Sequence, residues 1–169
     1  AGLPPGVLNL VMGDSTIGDG LVNHDGIDAI TFTGSTGVGR RIAAAAAARG
    51  VAVQAEMGGK NAAVVLDDAD FDLALEQVML GAFRSTGQKC TATSRLIVTE
   101  RIADRFLTTL ATRADALVVG DPTDDATQMG PVVSGSAQKS IQAGIDSAIA
   151  QGGTILAGGA AYGDGPLAE

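Results

Sequence analysis

Residues 29–50 read AITFTGSTGVGRRIAAAAAARG, and residues 51–57 continue VAVQAEM. Residues 29–33 (AITFT) alternate β-branched and aromatic side chains with small ones, as a short strand does. Gly34, Gly37 and Gly39 then give the backbone freedom for a tight turn. Residues 40–49 are nearly all alanine, the strongest helix former, and Gly50 stands where a helix ends on a left-handed residue. Residues 51–55 return to strand composition, with Glu56 at the carboxyl end. Strand, helix and strand within so short a span predict a βαβ unit and parallel pairing.

Outward from this unit the alternation continues. Residues 7–12 (VLNLVM), closed by Gly13, predict a strand, and residues 17–22 predict a helix. Residues 61–66 (NAAVVL) predict another strand, and Asp70 is placed to cap a helix carrying Phe71, Leu75, Val78, Met79 and Ala82 on one face. Gly87-Gln88-Lys89-Cys90-Thr91 interrupts the pattern before a strand at residues 95–99. Ile102, Phe106, Leu110 and Ala114 recur at helical spacing. A polar loop at residues 121–131, a helix at residues 137–150 and a strand at residues 154–156 complete the chain.

The composition agrees with an α/β class. Of 169 residues 24 are Gly, 46% are hydrophobic and only 3% are aromatic, so the core must be aliphatic and the turns tight. The formal net charge of −8 argues against nucleic acid as a partner and against docking on anionic membranes. The longest uniform apolar run, residues 43–48, falls far short of the ~20 residues a spanning helix needs. The chain has one cysteine, which excludes an internal disulfide and favours a reducing cytoplasm. One Cys and one His, His24, do not make a metal site, and none is expected. The chain opens on Ala1 and closes on Glu169 without completing an element at either end, so an internal piece of a longer protein is expected.

Three places hold residues suited to chemistry. The turn after residue 33 leaves unpaired N–H groups at a helix start, where an anion such as a pyrophosphate is favoured and where Ser35 and Thr36 add hydroxyls. Its Gly34-x-x-Gly37-x-Gly39 spacing differs from the dinucleotide fingerprint, and an ordinary tight turn is the alternative. Glu56, beyond a parallel strand and beside Gly58 and Gly59, would be half-shielded and could serve as a general base; a surface carboxylate capping a turn is the alternative. Cys90 has Gln, Lys and Thr as neighbours and sits badly as a core residue. Beside a lysine or a helix N-terminus it would be a nucleophile, and otherwise a structural thiol. His24 looks like a turn residue, so a carboxylate would have to act as the base.

Five stretches taken together resemble the aldehyde dehydrogenase superfamily: Ala1-Gly-Leu-Pro-Pro-Gly-Val-Leu-Asn, Phe32-Thr-Gly-Ser-Thr, Glu56-Met-Gly-Gly-Lys-Asn, Gly87-Gln-Lys-Cys and Met129-Gly-Pro-Val-Val, in the family's order and with its 34-residue interval from Glu to Cys. The resemblance runs from residue 1 to about residue 134. It implies the end of a Rossmann-like NAD or NADP domain at residues 1–57 and the start of an α/β catalytic domain at residues 58–169, both incomplete. It implies that Cys90 attacks an aldehyde and that Glu56 activates the water that releases the acid. Gly34, Ser35 and Gly39 would face the cofactor pyrophosphate, with Met57 and Gly58 at the nicotinamide. Met57 stands where the family usually has Leu, and Gly37 at a position often acidic. The family's oxyanion-hole Asn would lie upstream, and the Glu-x-Phe that holds the nicotinamide ribose downstream, so the piece alone is expected to be inactive. The stretch after Gly87 looks most like enzymes acting on α-ketoglutarate semialdehyde (2,5-dioxopentanoate), with other semialdehyde and betaine-aldehyde dehydrogenases as alternatives. A homodimer or homotetramer is implied for the full-length enzyme. A phosphate-binding α/β module without covalent chemistry, and a relative without activity, are the readings from other classes.

Overall fold

A computed structural model describes residues 2–162. Residue 1 of the opening motif and the closing stretch at residues 163–169 lie outside the described residues. The chain divides into two compact units, Ala1–Gly58 and Gly59–Glu169.

In the first unit, helix α1 (Ser15–Asn23) is capped by Asp14, whose carboxylate accepts from the Thr16 N–H at 2.9 Å. That backbone N–H holds the Asp14 carboxyl below its ordinary value. Strand β1 (Ala29–Gly34) leads into helix α2 (Thr36–Ala48), which leads into strand β2 (Ala52–Met57). The two strands pair in parallel, Ala29 opposite Ala52 through Gly34 opposite Met57. This is the predicted βαβ unit, with one correction: the helix starts four residues earlier than the alanine run, at Thr36. Ser35 is its cap, so Gly37 and Gly39 lie in its opening turns. Gly50 follows it at φ +69°, the left-handed position the sequence assigned it. Ala46 is the fully buried member of α2. Arg49, just past the helix, donates to the carbonyls of Val22, His24 and Ile27, tying α1 and the turn after it to α2. His24 is a turn residue, its Nδ1 accepting from the Gly26 N–H at 3.0 Å.

The second unit holds strand β3 (Asn61–Val65), helix α3 (Phe71–Phe83), strand β4 (Thr93–Val98), and helices α4 (Glu100–Asp115) and α5 (Gly135–Ala150). β3 and β4 pair in parallel, with a register shift between Asn61 and Ala62 that leaves Ser94 as the extra residue. Asp70 caps α3, accepting from the Leu73 N–H at 3.0 Å. The core is Val65 from β3, Leu75 and Val78 from α3, and Phe106 from α4, packed by Ala63, Leu96, Val98, Ile102 and Leu110. Phe106 and Phe71 meet edge-on at 5.5 Å between centroids, and the Arg105 guanidinium carbon lies 4.0 Å from the Phe71 ring centroid. The helical members of this core, Phe71, Leu75, Val78, Ile102, Phe106 and Leu110, come from the predicted apolar faces of their helices.

Two predicted strands are not formed. Residues 7–12 and residues 154–156 are irregular, and Leu8, Leu10, Met12 and Leu156 are largely exposed. A strand exists only by pairing, and neither stretch has a partner strand among the described residues. No helix among those residues is long and apolar enough to cross a membrane.

Candidate functional site

The first group of candidates gathers where β1 and β2 deliver their carboxyl ends to the start of α2. Gly34 closes β1 and is the register partner of Met57, the last residue of β2. Ser35 caps α2, its Oγ accepting from the Val38 N–H at 3.4 Å and its carbonyl from the Gly39 N–H at 2.9 Å. By helix geometry the N–H groups ahead of Val38 have no partner within the helix and point out of its first turn. Gly39 is buried against β2: a Cβ there would stand 2.6 Å from Met57 Sδ. A Cβ at Gly37 or at Gly58 would meet nothing within 4 Å, so the turn is open on the side where a ligand's phosphates would approach. Gly34, Ser35, Gly39 and Met57 are thus brought together, and Gly58 follows Met57 directly.

Glu56 is the penultimate residue of β2, opposite Thr33 of β1. Alternation along the strand separates it from Met57, whose side chain packs on α2, and turns it to the other face of the β1–β2 pair. Here the expectation of a half-shielded carboxylate is corrected: Glu56 is exposed, because nothing in its own unit covers that face.

Cys90 belongs to the second unit and is an exposed free thiol. The chain reaches it through three consecutive left-handed residues, Ser85 (φ 56°), Thr86 (φ 54°) and Gly87 (φ 66°). Only Gly adopts that conformation without cost, and two successive non-glycine residues in it store strain of order 1–3 kcal/mol each. A Cβ at Gly87 would crowd the Ala82 carbonyl at 3.0 Å, so this position admits only glycine. No α-helix begins at Cys90, which lies in a turn between α3 and β4.

Two residues carry structural links to this turn that their sequence context left without a role. Gln88 accepts from the Val133 N–H at 3.0 Å and donates to the Thr86 hydroxyl, fastening the Met129-Gly-Pro-Val-Val stretch to the cysteine loop. Asn61 donates through Nδ2 to the carbonyl of Cys90 at 2.6 Å and to that of Ala92 at 3.1 Å. The only signal for either in the sequence is membership of a quoted motif. Their partners lie 45 and 29 residues away.

The sequence model of the aldehyde dehydrogenase family matches residues 1–168. The α-ketoglutaric semialdehyde dehydrogenase of Bacillus subtilis is 49% identical over 160 residues, covering 94% of this chain and 33% of that protein. A betaine aldehyde dehydrogenase of Rhizobium johnstonii is 46% identical over 159 residues, with the same shares. The crystal structure of betaine aldehyde dehydrogenase from Staphylococcus aureus in complex with NAD+ superposes with a TM-score of 0.94 at 36% identity, over 98% of this chain and 33% of that one. The chain therefore spans about a third of the length of the relatives it matches. It belongs to the aldehyde dehydrogenase family.

Proposed function

We propose that the full-length protein carrying this chain oxidises an aldehyde to a carboxylic acid with NAD+ or NADP+, through a covalent intermediate on Cys90. The observation that carries this reading is an exposed thiol, held on a strained left-handed loop, in a chain matched by the family along nearly its whole length. Residues 1–57 are the end of the cofactor domain in this account, and residues 58–169 the start of the catalytic domain.

The Cys90 thiolate adds to the aldehyde carbon, and the carbonyl becomes an oxyanion to which the Cys90 backbone N–H can donate. The cofactor, when bound, supplies the acceptor for the hydride that leaves this carbon. The open turn at Gly34, Ser35 and Gly39 would hold its pyrophosphate: N–H groups of the α2 start and the positive end of the helix would stabilise the phosphates, and the absent side chains at Gly37 and Gly58 would leave room. The Met57 backbone and Gly58 are assigned to the nicotinamide. Loss of hydride leaves a thioester on Cys90. Glu56 takes a proton from water, the hydroxide adds to the thioester, and the acid departs with return of the thiolate.

The aldehyde we assign is α-ketoglutarate semialdehyde. The 49% identity to the Bacillus subtilis enzyme and the Gly87-Gln-Lys-Cys-Thr-Ala-Thr-Ser-Arg stretch support it. Betaine aldehyde is the second reading, favoured by the Rhizobium relative and the Staphylococcus structure. The comparison of kcat/KM for the two aldehydes separates them. The free exposed thiol suits a reducing cytoplasm, and we assign the protein there as a homodimer or homotetramer.

The role of Glu56 is tested with Glu56→Gln in the full-length protein. A first-turnover burst of reduced cofactor should persist, while steady-state turnover falls by about 100-fold or more, the scale of a lost general base. Wild-type rates for both phases would remove Glu56 from the mechanism.

A further inference from the structure

We propose that Asn61 is the positioning residue of the nucleophile, setting the direction of the Cys90 backbone by clamping the carbonyls of Cys90 and Ala92. The inference rests on the reading of Cys90 as nucleophile.

Asn61 is the first residue of β3, paired with Thr93 just before the register shift. Its carboxamide offers two protons, and both are used on one short segment: the Cys90 carbonyl at 2.6 Å and the Ala92 carbonyl at 3.1 Å. Between those carbonyls the chain turns, with the Ala92 N–H donating back to the Lys89 carbonyl at 3.0 Å. The clamp therefore fixes the Cys90–Thr91 peptide plane, one bond from the Cα that carries the thiol. The bulge supplies its footing. Ser94 donates to the Asn61 carbonyl at 3.2 Å, and Arg95 donates to the Lys60 carbonyl at 2.7 Å, so the 60–61 backbone is held from β4 while the Asn61 side chain takes the two carbonyls just ahead of that strand. The loop needs such a clamp, because on its N-terminal side it hangs from three left-handed residues with no strand pairing. A thiol and its own N–H must both meet one carbonyl group, and a misplacement of about 1 Å costs on the order of 100-fold in rate. Asn61 touches neither substrate nor cofactor in this account. It acts through the Cys90 peptide.

The test uses the full-length protein with Asn61→Asp, which keeps the shape and replaces both donors with acceptors facing two carbonyls. Two rates are read across pH 5.5–8.5: alkylation of Cys90 by iodoacetamide, followed on its peptide by mass spectrometry, and aldehyde turnover. The expected result is about a 100-fold loss in kcat with little change in KM for the cofactor. The ratio of variant to wild type should rise as pH falls, since a protonated Asp regains one donor. Gln142→Ala, which removes a hydrogen bond to Asp146 within α5 and touches nothing at the clamp, should keep both rates within about threefold. If Asn61→Asp fails to fold, Asn61→Ser, with one shorter donor, should show a changed Cys90 alkylation rate. Rates equal to wild type in the variant that folds, or a pH-independent loss matched by Gln142→Ala, would overturn the proposal. A wild type that never turns over aldehyde, yet whose Cys90 alkylation depends on Asn61, would instead sink the functional reading and leave the clamp standing.

Discussion

Gly39 shows how one absent side chain serves two elements. It lies in the opening turns of α2 and is covered by Met57 from the end of β2. Alanine there would gain roughly 0.5–1 kcal/mol from helix propensity. Its Cβ would also press on Met57 Sδ at 2.6 Å and Met57 Cγ at 3.0 Å, and overpacking of this kind costs about 1–3 kcal/mol. The crowding term is the larger, so Gly39→Ala should lower the thermal midpoint. In a Met57→Ala background the same change should raise it, since only the propensity gain remains. An equal effect in both backgrounds would show that the two residues do not touch. The importance of Gly39 was legible in the sequence as part of a turn after a strand; its contact with Met57 was not, because that depends on the parallel register. The same holds for Asn61. Its place beside Glu56 in the quoted motif was plain, but its reach to the Cys90 carbonyl follows from a bulge that no local pattern encodes.

At the scale of elements, periodicity did most of the work where an element could bury a face. The helical spacing of Phe71, Leu75 and Val78, and of Ile102, Phe106 and Leu110, identified the residues that cover β3 and β4. Phe106 is 0% exposed at the centre of that cluster, so Phe106→Ala should cost about 3–5 kcal/mol. Unfolding by denaturant checks it, and a loss under about 1 kcal/mol would mean that α4 is not anchored there. Strand prediction succeeded for β1 to β4 and failed for residues 7–12 and 154–156, which have the same apolar composition. The difference is long-range. Val64 and Ile97 have each other as register partners, while Leu10 and Ile155 have none. The earlier start of α2 has a local cause: Ser35 is a better cap than any residue nearer the alanine run, and it draws Thr36 to Gly39 into the helix.

For the molecule as a whole, the uncovered surfaces are as telling as the core. Val64 and Ile97, facing pairs on β3 and β4, are 62% and 54% exposed, and Leu8, Leu10 and Met12 more so. Parallel sheets are normally covered on both faces, and sheets of two strands are marginal alone. A chain spanning a third of its relatives' length carries such faces as a matter of course. The proposed chemistry therefore belongs to the full-length protein, and it turns on a covalent bond between Cys90 and an aldehyde. The direct measurement is alkylation of Cys90 by iodoacetamide in the full-length protein, read on the Cys90 peptide by mass spectrometry, with and without saturating α-ketoglutarate semialdehyde or betaine aldehyde. One of these aldehydes should protect Cys90 strongly while other thiols label at unchanged rates. Labelling of Cys90 at the same rate with and without either aldehyde would contradict it.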